Sequence, residues 1–217
     1  GGLTSRSVYD AANRLVYALD AEGRVTRFER NALGLVTAEV QYTKDRFDLS
    51  TFTETTAPTQ AQLDAWVAAR TDKTQARRTE TAYDWRGAVA RVTTYAATDA
   101  TGAGTAASAM VTEHVYDQAG LLRQTIDHRG AAKDTAGKYL NNYYINFSYD
   151  GLGRLTLSGN TLNNNASVTE QYIQNVYNDA VGSGSAVQTL RLRYDAATNT
   201  YPVVAARDFV YLDLAGR

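Results

Sequence analysis

Two histidines, His114 and His128, and sixteen aspartates are the side chains of this chain best suited to move a proton or hold a metal. A hydrolase would set one histidine between a serine and a carboxylate, with the serine on a G-x-S-x-G elbow. The nearest string, GSGSA at Gly182–Ala186, lacks the second glycine and reads as a flexible turn. Asp99, Asp134 and Asp179 sit in polar stretches able to hold calcium weakly, but their spacing is not that of an EF-hand loop. No P-loop pattern is present. The chain has no cysteine, which excludes disulfides, thiol catalysis and cysteine-bound metal. We therefore expect no enzyme activity, no cofactor and no metal centre.

The aspartates have a different regularity. Asp is followed three residues later by Gly at Asp20/Gly23, Asp84/Gly87, Asp99/Gly102, Asp117/Gly120, Asp127/Gly130, Asp134/Gly137, Asp150/Gly153, Asp179/Gly182 and Asp213/Gly216. With sixteen of each residue, chance predicts about one such pair. Asp10 with Asn13 and Asn31 with Gly34 are near copies, and Tyr precedes Asp at Tyr9, Tyr83, Tyr116, Tyr149 and Tyr194. An Asp carboxylate accepts backbone N–H groups two residues on, and Gly takes the left-handed conformation that closes a type I turn with a bulge. Asn is the next most tolerant residue there. These aspartates are expected to form turns rather than to catalyse. His128, between Asp127 and Gly130, is expected inside such a turn.

Between the turns the chain alternates as strands do. Asn141–Asp150 puts Tyr143, Ile145, Phe147 and Tyr149 on one face; Gln188–Tyr194 sets Leu190, Leu192 and Tyr194 against Arg191 and Arg193. Strands joined by tight turns make an antiparallel meander, so the fold class is all-β: a curved antiparallel sheet of tandem hairpins. Asp84, Asp117 and Asp150 recur every 33 residues, marking larger units. One stretch breaks the pattern. Thr59–Ala76 reads as a helix with Leu63, Trp66, Val67 and Arg70 on one face and a Thr59–Gln62 capping box. It lies in an insert at about residues 45–77 that is expected to cover part of the sheet.

A net charge of −1 and 44% apolar residues describe an ordinary folded protein with no electrostatic call for nucleic acid. No apolar run approaches the about 20 residues that span a bilayer as a helix, so no membrane insertion by this segment is expected. Fifteen tyrosines raise a further possibility. Tyr139, Tyr143, Tyr144 and Tyr172, with the Asn-rich run 160–165, could present a surface for glycans or a protein partner; they could equally stiffen the sheet through cross-strand packing.

The repeated motif resembles that of the RHS/YD-repeat family. YDGLGRL at Tyr149–Leu155 is close to that family's repeat. YDAANRL at Tyr9–Leu15, YDWRGAV at Tyr83–Val89 and YDQAGLL at Tyr116–Leu122 depart from it at one or two positions. RNALGLV at Arg30–Val36 is looser, with Arg30 where Tyr belongs, and YLDLAGR at Tyr211–Arg217 stops inside a repeat. The resemblance implies one repeat segment over residues 1–217, an internal piece of a longer bacterial protein that is secreted or held at the cell surface. In that family such hairpins wind into a spiral, either a shell around a toxic C-terminal payload or an adhesive surface structure. Its partners would then be the rest of its own chain, a C-terminal payload or a cell-surface glycan. Neither Pro58 nor Pro202 follows an Asp, so the family's self-cleavage signature is not assigned to this chain.

Overall fold

The computed structural model describes residues 4–53, 55–128, 135, 142–162, 171–178, 185–193, 198 and 203–212. The chain divides into two compact units, Gly1–Thr112 with Gly130–Lys138, and Glu113–Arg129 with Tyr139–Arg217.

The first unit contains β1 (Arg6–Tyr9), β2 (Leu15–Leu19), β3 (Val25–Arg30), β4 (Val36–Tyr42), α1 (Gln60–Ala68), β5 (Ala76–Tyr83) and β6 (Val89–Tyr95). Its strands pair antiparallel in chain order. Register is set by the apolar pattern: Leu19, Val25, Tyr42 and Ala76 stand in one row across four strands. A slip of one residue would turn that row to the opposite face.

α1 closes over this row. Thr59 caps it with the reciprocal bonds to Gln62 expected from the sequence, and Leu63 and Val67 bury against Val8, Tyr17, Leu19, Val25, Val40, Tyr42 and Ala76. Trp66 meets Tyr42 edge-on at 5.6 Å, and the Arg70 guanidinium lies 3.5 Å from the Trp66 ring centre. The helix ends at Ala68, earlier than the sequence reading to Ala76. Ala76 is instead the first residue of β5, paired with Tyr42. Asp72 accepts hydrogen bonds from the Thr74 amide and hydroxyl, a local turn that competes with helix.

Beyond the helix the same face is covered by charge. Arg78 on β5 reaches across β4 to Glu29 on β3 at 3.1 Å while holding Glu80 at 2.7 Å. Ala38 of β4, which stands in the Glu29–Glu80 row, is buried. The Arg78 stem and its ion pairs thus do for this half of the face what α1 does for the other.

β7 (Ala109–Tyr116) crosses the division between the units. The second unit contains β8 (Leu122–His128), β9 (Asn142–Tyr149), β10 (Leu155–Leu162), β11 (Gln171–Asn178), β12 (Ser185–Arg193) and β13 (Val203–Leu212), again antiparallel in chain order. Among those of its residues whose side chains are described, no apolar side chain is fully buried. Cross-strand pairs such as Gln124 with Asn146 and Asn175 with Thr189 lie along a sheet whose side chains are half-covered.

Candidate functional site: the repeated turn

Among the described residues, seven turns share one geometry. In each, the first residue donates its N–H to the carbonyl four residues on, and the fourth residue donates back to the first residue's carbonyl. The first residues are Asp10, Asp20, Asn31, Asp84, Asp99, Asp117 and Asp150. The fourth residue has positive φ every time: Asn13 at 57°, and Gly23, Gly34, Gly87, Gly102, Gly120 and Gly153 at 78–89°. The side chain completes the turn. Asp150 Oδ1 accepts the amides of Leu152 and Arg154 at 2.9 Å each, and Oδ2 accepts Arg154 Nε at 2.7 Å. Asp10 holds Arg14, and Asp84 holds Arg86, through the same carboxylate oxygen. Asn31 does the backbone part with its amide oxygen alone, from Leu33 and Leu35.

These donors lower the carboxyl pKa values of Asp10, Asp20, Asp84, Asp99 and Asp150. The Arg14 side chain leads for Asp10, the Thr101 hydroxyl for Asp99 and the Arg154 amide for Asp150. At Asp20 and Asp84 desolvation pulls upward, and the backbone and arginine donors outweigh it. A folded pKa below the unfolded value of about 3.9 adds stability above that pH and loses it as pH falls through the folded values. The thermal midpoint should therefore hold above about pH 4 and decline on acidification below it. A melting series from pH 7 to pH 2 that stayed flat would show that the turn carboxylates contribute nothing.

Tyr9, Tyr83, Tyr116 and Tyr149 end β1, β5, β7 and β9, directly before their turns. Asp127 is not in a turn. β8 runs through Asp127 and His128, and Asp127 pairs with Tyr143 on β9, so partner-strand pairing overrides the local Asp-x-x-Gly pattern. Gly130, Asp213, Gly216 and Tyr139 lie outside the described residues. His128 Nε2 meets the Glu113 carboxylate at 2.9 Å and His114 Nδ1 meets the Thr125 hydroxyl at 3.2 Å. Among the described residues no three His, Asp or Glu side chains cluster to hold a metal, and no helix is long and apolar enough to cross a membrane.

The remaining tyrosines do not form one surface. Tyr143 and Tyr144 are neighbours on β9 and face opposite sides of the sheet. Tyr172 shares a side with Tyr144, through Gly159 and Asn146. Its ring lies over Gly159 so closely that a Cβ there would come within 2.0 Å of it. That ring fills the gap left by a glycine inside a strand.

Two residues have a part in the turns that the motif did not reveal. Arg30 donates to the Leu15 carbonyl at 2.9 Å and to the Gly34 carbonyl at 2.8 Å. Tyr177, followed by Asn rather than Asp, donates to the Leu155 carbonyl at 2.9 Å. Tyr83 and Tyr149 do likewise to Val36 at 2.7 Å and Leu122 at 2.9 Å. The signal for Arg30 lay in its place before Asn31, where the motif has Tyr.

Residues 4–46 match the family model described as RHS Repeat. No curated protein matches the chain. Solved structures do, among them "Crystal Structure of TcdB2-TccC3-TEV", at 10% identity and a TM-score of 0.18, over 98% of this chain. The chain spans 16% of the length of that one.

Proposed function

We infer the role from one premise: the chain is an RHS/YD-repeat segment. It serves as a structural wall segment of a larger bacterial protein, part of a shell that encloses or presents a toxic C-terminal payload. The observation that carries this reading is the repetition of one hairpin. Neighbouring hairpins within a unit bond backbone-to-backbone, and one turn geometry recurs at every hairpin whose turn is described. A sheet built this way extends by adding hairpins, which suits a wall and gives no fixed outer limit. The aspartates at the described turns are occupied by turn hydrogen bonds, and the reading assigns the segment no catalytic step and no cofactor. Its partners are the rest of its own longer chain and the payload. It works outside the cytoplasm, secreted or at the cell surface. An adhesive role would draw on clustered aromatics, and the described tyrosines divide between the two faces of the sheet.

Electron microscopy of the full-length parent protein tests this directly. A closed hollow particle with density inside is the expected result. An open rod or filament would overturn the container reading.

A further inference from the structure

We propose that Arg30, Tyr83, Tyr149 and Tyr177, each at the end of the first strand of its hairpin, are positioning residues that key that hairpin to the preceding one, and that Arg30 holds this post as fully as a tyrosine does. The argument starts from where the backbone ladders stop. Between hairpins, the last backbone pair toward the turn margin is Tyr17 with Arg27, Ala38 with Glu80, Gln124 with Asn146, and Leu157 with Gln174. In every case the strand continues two residues further, to Leu15, Val36, Leu122 and Leu155. Those four carbonyls lie beyond the ladder and face a half-covered margin. A backbone carbonyl left there without a donor is a cost that the fold must meet.

The same four carbonyls receive the four side-chain bonds. Arg30 donates to Leu15, Tyr83 to Val36, Tyr149 to Leu122 and Tyr177 to Leu155, where Asn175 Nδ2 also donates at 3.0 Å. Each donor is the last or next-to-last residue of its own strand, and Arg30, Tyr83 and Tyr149 stand directly before the first residue of their turns. Each acceptor begins the second strand of the hairpin before it. The acceptors Leu15, Val36 and Leu155 also pair across a register shift with Tyr9, Arg30 and Tyr149. That shift is the bulge created by the turn, and a bulge bends its strand away from regular pairing. The turn thus creates an unpaired carbonyl, and the next repeat's key residue closes it.

A phenol and a guanidinium share little except a donor at the end of a long, stiff or extended side chain. That both appear at this post identifies the donor, not the ring, as what the post requires. Arg30 adds a second bond to its own turn at Gly34, which a single hydroxyl donor does not supply. Tyr9 holds the same sequence position on β1, first in its unit's strand order, and its half-exposed hydroxyl makes no such bond.

This inference concerns neighbouring hairpins and stands whether or not the parent protein closes into a shell. Hydrogen exchange of the full chain, followed by mass spectrometry, tests it with Tyr149→Phe, Arg30→Phe, Arg30→Tyr and Tyr9→Phe. Losing one hydrogen bond should raise local opening roughly fivefold, and Arg30→Phe, which loses the bonds to both Leu15 and Gly34, should raise it further. Tyr149→Phe should show that rise in peptides covering β8 and β9, and Arg30→Phe in those covering β2 and β3. Arg30→Tyr should restore protection close to the native level, and Tyr9→Phe should leave it unchanged. Unchanged exchange in Tyr149→Phe, an Arg30→Tyr protein that behaves like Arg30→Phe, or an equal rise in Tyr9→Phe would each overturn the proposal.

Discussion

Replacing Leu63 with alanine should cost the first unit roughly 2–5 kcal/mol, the range for emptying a fully buried leucine site. Leu63 is 0% exposed and sits where α1 meets the rows of Tyr17, Leu19, Val25 and Tyr42. The helix has only Gln60–Ala68 to offer, and only Leu63 and Val67 of it are buried. An isolated helix of this length is not stable in water, so its order derives from this contact. Removing the larger of two anchors leaves a cavity that the sheet below, fixed by its ladders, closes only in part. The Tyr17 hydroxyl would still donate to Asp64 at 2.6 Å, which keeps the helix near its place while its packing loosens. Fluorescence reports the change selectively. Trp66 packs between Tyr42 and Phe47, whereas Trp85 is 90% exposed and contributes a constant background. The variant should melt earlier and its emission should shift to the red in the native state. Leu33→Ala, at a turn tip that is 84% exposed, is the matched control and should change neither. A Leu63→Ala protein with native stability would mean that α1 rests on the sheet without holding it.

The parts of this fold that were legible in the sequence are those decided locally. An Asp-x-x-Gly turn is made by its own residues, so Asp20, Asp84 and Asp150 announce it through spacing alone. The helix start was equally readable, because the Thr59–Gln62 box needs nothing outside itself. What escaped was decided by distant partners. The helix stops short because the chain must reach Ala76 in time to pair with Tyr42. Asp127 has the spacing to Gly130 that marks a turn, but Asp127 and His128 belong to β8 and pair with β9. Tyr143 and Tyr144 looked like two parts of a single patch until strand alternation separated them. The motif tyrosines could be counted, yet their acceptors lie in the preceding repeat, 27 residues back for Tyr149. The ion bridge from Arg78 to Glu29 crosses 49 positions of sequence and a strand between. Nothing in either local context marks it.

The turns repeat in form and differ in what surrounds them, which makes glycine substitutions unequal. Gly23→Ala should be among the most damaging single changes in the chain, while Gly153→Ala should cost only the about 1–2 kcal/mol of placing a side chain in the left-handed region. The two glycines have nearly the same φ, +80° and +78°. An added Cβ at Gly153 meets nothing within 4 Å; at Gly23 it would lie 2.2 Å from the Phe47 carbonyl oxygen. That contact cannot be relieved by a side-chain rotation, because the Phe47 amide also donates to the Gly23 carbonyl at 2.8 Å. The Phe47 backbone would have to move. Its ring packs against Trp66 and Phe52, so the displacement passes into the cover of the core. Overpacking of this kind adds about 1–3 kcal/mol to the conformational cost. Asparagine separates the two contributions, since Asn13 already occupies this conformation at φ 57°. Gly153→Asn should be nearly silent and Gly23→Asn should not. Urea titrations of the four variants measure the difference directly. Equal losses at the two sites would mean that the segment around Phe47 yields freely, and that Gly23 is a turn residue and nothing more.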